Sequence, residues 1–254
     1  SDFGYKTNKT GVTVGTDFEY YDDLILGLGL NSYYEDIKTD STASSQQQKL
    51  KGNYFDNFVS LSLDYDKRNQ KFQTSQGFRN YFSTDIPFVS ETNTLANTFI
   101  TTNYFEYLNK YILKSSLYFK NSNSLTGENI KLSERLSLPS NRLRGFERGK
   151  IGPKDGNDFI GGNYVASLNF SSDVPKLLEN SQTTDLIIFL DIANVWGVDY
   201  DSNLEKSDDI KSAVGIGLDW FTPVGPLNFT LSQPLSKGSN DVTESFRFNL
   251  GTSF

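Results

Sequence analysis

A period of two runs through this chain, and it decides what the backbone can become. Leu24, Leu26, Leu28 and Leu30 alternate with Gly27, Gly29 and Asn31. Val59, Leu61, Leu63 and Tyr65 alternate with Ser60, Ser62 and Asp64, and Val214, Ile216, Leu218 and Trp220 with Gly215, Gly217 and Asp219. Successive side chains of an extended strand point to opposite faces, so each run carries a large apolar face backed by a small or polar one. The final run repeats the pattern: Phe246, Phe248, Leu250 and Phe254 fall on one face, and Arg247, Asn249, Gly251 and Ser253 on the other. In water such a row at a chain end is an adhesive sheet edge. In a bilayer the apolar row meets lipid and the polar row faces a lumen. The competing architecture is a soluble β-sandwich.

No convincing helical period interrupts these runs. Strands are predicted at roughly 10–20, 24–35, 57–66, 77–86, 98–107, 111–120, 163–172, 185–196, 210–221, 226–235 and 245–254, about eleven in all. Walking back from the C-terminus, longer and shorter links alternate on average: 236–244, then 222–225; 197–209, then 173–184; 121–162, then 108–110; 87–97, then 67–76; 36–56, then 21–23. Short periplasmic turns alternating with long external loops mark a transmembrane antiparallel β-barrel, and a sandwich has no reason to sort its links this way. Tyr20, Tyr21, Tyr107, Tyr111, Trp196 and Trp220 fall near strand ends, where aromatic girdles meet the bilayer interfaces.

Composition removes several classes of function. The chain has no histidine, which excludes a Ser-His-Asp triad or a His-rich zinc site, and no cysteine, which excludes disulfides and thiol chemistry. A formal charge of -7 over 254 residues disfavours nucleic-acid binding. Gly27-x-Gly29 and Gly215-x-Gly217 are small lumen-facing residues rather than nucleotide fingerprints, because no helix follows them, so no cofactor is implied. Asp199-x-Asp201-x-Asn203 starts like a calcium loop but lacks the glycine and glutamate that complete one, so the reading is a solvated acidic loop and no metal.

The link 121–162 is far longer than an ordinary connection, which marks a segment with a function of its own or a disordered one. It contains Asn141-Arg142-Leu143-Arg144-Gly145-Phe146-Glu147-Arg148-Gly149, then Ile151-Gly152-Pro153 and Gly161-Gly162-Asn163. Beyond it stand Asp191-Ile192-Ala193-Asn194-Val195-Trp196, Trp220-Phe221-Thr222-Pro223-Val224-Gly225-Pro226-Leu227 and Gln233-Pro234-Leu235. Upstream are Asp66-Lys67-Arg68-Asn69 and Phe72-Gln73-Thr74-Ser75-Gln76-Gly77, with Gln73 where proline is frequent. In order and spacing this series resembles the BamA family, the barrel subunits of the machinery that inserts outer-membrane proteins, and the terminal strand ending on Phe254 resembles a Gram-negative outer-membrane sorting signal.

The resemblance implies that Arg144, Gly145 and Phe146 form the tip of an external loop folded back into the lumen, and that Arg144 meets acidic residues on the two strands that follow the loop. Asp191 matches one such position and Asn169 the other, so only one anion is assured. A planar guanidinium leaving bulk water calls for a bidentate carboxylate, which suits Asp191 in the lumen row of its strand. Gly145 allows a sharp turn and Phe146 an apolar anchor. The terminal strand, with Phe246, Phe248, Leu250, Gly251 and Phe254, becomes one side of a lateral gate that templates incoming strands by hydrogen bonding. The family likeness further implies unfolded outer-membrane barrels as substrates, accessory lipoproteins as partners, outer-membrane lipid as surroundings, and no covalent chemistry. It also implies a barrel of about sixteen strands, of which this chain supplies the C-terminal part, with the first strands and the periplasmic POTRA domains lying upstream. A related translocation or secretion pore and a passive porin are the alternative readings; a barrel enzyme would need an unusual Ser-Lys or paired-carboxylate site.

Overall fold

The computed structural model describes residues 4–71, 73–108, 111–174, 184–199, 204, 209–222 and 225–250. An eleven-stranded sheet accounts for most of it, with its strands in chain order: β1 (Tyr5–Tyr21), β2 (Leu24–Thr39), β3 (Gly52–Asp66), β4 (Gly77–Pro87), β5 (Thr94–Tyr107), β6 (Tyr111–Ser124), β9 (Tyr164–Asp173), β10 (Thr184–Trp196), β11 (Lys211–Thr222), β12 (Gly225–Ser236) and β13 (Phe246–Leu250). Two further strands, β7 (Lys154–Asp155) and β8 (Asp158–Phe159), pair with each other inside the long link between β6 and β9. Every neighbouring pair in the large sheet is antiparallel. Gly251 and Phe254 lie outside the described residues.

The two faces of the sheet sort as their chemistry requires. Along β10, Phe189, Asp191, Ala193 and Val195 are buried, whereas Ile188 on the opposite face is half exposed. Leu28, Leu30, Leu63, Ile216, Leu231, Phe246 and Phe248 are exposed on the same outward rows. Among the described residues nothing packs a second sheet against them, which removes the sandwich and leaves a face suited to lipid. The inward face is covered by the link 125–163, and the main apolar cluster forms there, between Leu136, Leu138, Leu143, Phe146 and Ile151 of the link and Tyr118, Val165, Ala193, Val195 and Ala213 of the wall.

Most strands outrun their sequence signal at the external end. β2 continues to Thr39, β3 begins at Gly52, β5 at Thr94, and β6 runs on to Ser124. In these extensions polar and charged residues such as Asp36, Lys38, Asn53, Asp56, Asn121 and Asn123 interrupt the apolar row, so the ladder continues while the apolar alternation stops. The link 40–51 also holds a short helix, α1 (Ser45–Lys49), which no period reveals. It is set by a capping box: the Ser44 hydroxyl accepts from the Gln47 amide at 3.1 Å and the Gln47 side chain accepts from the Ser44 amide at 2.9 Å.

Candidate functional site: the loop motif against the inner wall

The site is built on one transverse row of the sheet. Ser116 of β6 stands opposite Asn169 of β9, Asn169 opposite Asp191 of β10, and Asp191 opposite Ala213 of β11. The loop motif crosses the wall along this row. Arg142 donates from Nη1 to Ser116 Oγ at 2.8 Å, and its carbonyl accepts from Asn169 Nδ2 at 2.8 Å. Arg144 then reaches Asp191, and a Cβ placed on Gly145 would stand 3.0 Å from the Ala213 methyl and 3.3 Å from Ser232 Cβ. Small wall residues at 213 and 232 let the backbone come this close. Gly145 itself has φ +91°, a conformation that side chains other than hydrogen resist.

Arg144 and Asp191 make the central contact. Nε and Nη2 each donate at 2.8 Å to one carboxylate oxygen of Asp191, and the Arg144 backbone amide adds a third bond at 3.0 Å. Asp191 is fully buried, Arg144 nearly so, and the guanidinium lies 3.5 Å from the Phe189 ring centroid. This is the paired, forked geometry in which an arginine tolerates leaving water. Asn169 makes no hydrogen bond to Arg144: its amide donates to Asp191 Oδ1 at 2.8 Å, while its own oxygen accepts from Ser167 at 3.0 Å. A carboxylate at 169 would have no proton to donate to Asp191 at neutral pH, so the uncharged residue completes the cradle as a donor.

Phe146 is buried in the apolar cluster, and its backbone bridges to Thr243 in the link before β13. Glu147 donates its amide to the Val242 carbonyl at 2.9 Å, and Glu244 donates to the Gly145 carbonyl at 3.0 Å. Arg247 of β13 completes this contact, donating at 2.7 Å to the Ser140 carbonyl and at 2.5 Å to the Phe146 carbonyl.

The first part of the loop has a charged anchor of its own. Lys131 is buried between Glu35 of β2 at 2.9 Å, Asp56 of β3 at 2.5 Å and Glu134 at 3.4 Å. Burial disfavours its ammonium, but the surrounding carboxylates outweigh that, and its pKa moves upward. Burial pushes the Glu134 carboxyl up, against the pull of Lys131. Arg135 bonds Asn163 at 3.0 Å and pairs with Asp199. Asp199 also accepts from the Ile130 amide at 2.6 Å, so its carboxylate is committed to the loop; Asp201 and Asn203 lie outside the described residues. Among the described residues no group of histidine, cysteine or acidic side chains is arranged to hold a metal. Apart from Arg142, which bonds Ser116 and lies over the Tyr118 ring, these cations are paired with carboxylates, and the arrangement holds a segment in place.

The sequence reading brought out Arg144, Asp191 and Asn169 but not Lys131, Arg135 or the role of Arg142 and Arg247. Their partners are distant in sequence or are backbone carbonyls, and no motif spacing encodes them. One usable signal existed: Glu35 and Asp56 occupy lumen rows of neighbouring strands, where paired carboxylates call for a cation.

All 254 residues match the Omp85 superfamily domain. The chain is 25% identical to the outer membrane protein assembly factor BamA of Neorickettsia risticii over 98% of its own length, and it spans about a third (34%) of that relative. Its fold matches the crystal structure of BamA from Haemophilus ducreyi lacking POTRA domains 1–3, with TM-score 0.84 and 20% identity, over 96% of this chain and 54% of that one. CdiB from Acinetobacter baumannii is similar at TM-score 0.63 and 10% identity, over 97% of this chain and 42% of that one.

Proposed function

The chain belongs to the Omp85 superfamily, and from that premise we propose that it forms the C-terminal wall of an outer-membrane protein assembly factor. It is an integral β-barrel segment of the bacterial outer membrane, with its apolar rows in lipid and its loop motif in the lumen. The observation that carries the reading is Arg144, midway along a long external link and held inside the wall by the bidentate contact to buried Asp191. A passive porin needs no such investment at this place.

In this reading the substrates are unfolded outer-membrane barrels, and the terminal strand β13 is the edge on which their strands pair. The work is done by backbone hydrogen bonding and lipid displacement, with no covalent step. Lipoprotein partners act from the periplasmic side, and further strands of a larger barrel continue the sheet beyond β1; the partial coverage of the relatives supports this. The test is reconstitution of the full-length protein in liposomes, with a urea-unfolded outer-membrane barrel as substrate. Insertion should be faster than into empty liposomes, and Arg144→Ala should lower the rate while the protein itself remains folded. Equal rates in protein-containing and empty liposomes would refute the assembly role.

A further inference from the structure

The Asp191 contact holds the middle of the loop motif, but both of its flanks are held from the seam strand. Arg247 faces the lumen from β13, opposite buried Thr230 of β12. Its guanidinium donates from Nη1 to the Ser140 carbonyl at 2.7 Å and from Nη2 to the Phe146 carbonyl at 2.5 Å, so one side chain spans the segment that carries Arg142, Arg144 and Gly145. Nε donates to Glu244 Oε2 at 2.9 Å, which fixes the plane of the fork. The side chain is 12% exposed, so these bonds form largely out of water, where losing them leaves two carbonyls short of a donor. The same hairpin adds the backbone pairing of 145–147 with 242–244.

We propose that Arg247 is a positioning residue for the assembly reaction: it ties the seam strand to the loop motif, so that β13 cannot move along or away from the wall without releasing the segment 140–147. The inference rests on the assembly reading for its functional consequence, but its structural half stands on this geometry alone. Arginine suits the task because a planar fork can serve two carbonyls and a carboxylate at once; a lysine offers a point charge that reaches one of them. Motion of β13 during substrate pairing is thereby felt at Arg144, and a docked loop in turn holds the seam in register.

The test uses the full-length protein in lipid bilayers with a nitroxide label on a cysteine placed at Asn141, an exposed loop position outside the contacts above. Arg247→Gln should mobilise the label, shifting the ratio of docked to released loop roughly tenfold. It should lower the insertion rate of an unfolded barrel while leaving the heat-modifiable migration of the protein unchanged. Arg247→Lys should restore part of both signals. An immobile label together with an unchanged insertion rate in Arg247→Gln, while Arg144→Ala still impairs insertion, would overturn the proposal and leave the assembly reading standing. If Arg144→Ala has no effect on insertion, the assembly reading fails and the label alone decides the clamp. Should Arg247→Gln not fold, Glu244→Gln gives the same reading: a mobilised label supports the clamp and an unchanged one overturns it.

Discussion

Removing Asp191 tests the physics of the loop site most sharply. The carboxylate is fully buried and accepts bonds from Arg144 N, Nε and Nη2 and from Asn169 Nδ2. Asp191→Ala leaves the guanidinium against the Phe189 ring with no anion. Breaking a buried pair from one side costs about 3–5 kcal/mol. Arg144 keeps 16% exposure and can turn partly toward water, so the lower end applies: about 3 kcal/mol, or roughly a hundredfold in the ratio of docked to undocked loop. Arg144→Ala strands the carboxylate instead, with Asn169 Nδ2 and the backbone amide of residue 144 as its remaining donors. The double variant should therefore cost less than the sum of the singles, with a coupling of about 2–3 kcal/mol. Amide hydrogen exchange in bilayers reads this directly, because the Glu147 amide is bonded to the Val242 carbonyl only while the loop is docked. Strictly additive effects, or exchange at residues 142–150 unchanged by Asp191→Ala, would show that the contact does not hold the loop.

Asn169→Asp should loosen the loop at neutral pH, because it faces an anion with Asp191 Oδ1 and the Arg142 carbonyl; faster exchange at 142–150 is the expected result, and slower exchange would contradict it. Lys131→Met leaves Glu35 and Asp56 buried without their cation and should cost about 3–5 kcal/mol, read as a lower heat-modifiability midpoint. Glu134 binds its proton more tightly in the fold than at its ordinary value of 4.5, so its contribution to stability falls as pH rises through that value toward the raised one. Glu134→Gln should accordingly stabilise the docked loop above that window and flatten this part of the pH dependence; a steeper dependence would contradict the sign. On the outward face, Ile188→Lys should destabilise the inserted protein by about 2–4 kcal/mol if the residue lies near the bilayer midplane, measured by urea titration in lipid vesicles, whereas a change below about 0.5 kcal/mol would place that row in water.

The parts of the fold legible in the sequence are those where the environment differs on the two faces. Leu24 to Leu30, Val59 to Tyr65 and Val214 to Trp220 carry lipid on one side and a lumen on the other, and their period of two gave each strand its place. Residues 36–39, 52–56 and 121–124 continue the same ladders with polar and charged residues interrupting the apolar row, so the pattern ends before the strand does. Helix α1 is too short to show a period. At the site, Asp191 was legible through the family resemblance, which pairs the loop arginine with an acidic residue at this position, and through its place in the lumen row of its strand. Asn169 stands opposite Asp191 in that row, and its part as a donor depends on which way its amide turns, which sequence does not record. Lys131 and Arg247 bind groups brought near by barrel curvature and loop path, and these distances appear only once the chain has folded.

The most direct measurement is site-specific photo-crosslinking from β13 to an assembling substrate in living cells, with the crosslinker introduced in turn at positions 246–250 of the full-length protein. A strand templated on this edge gives products with the terminal strand of a stalled outer-membrane barrel at β13, in a pattern that shifts by one substrate residue per position, and none from mid-sheet positions in β5. Absence of products at β13, or equal yields from β5, would contradict assembly at this edge.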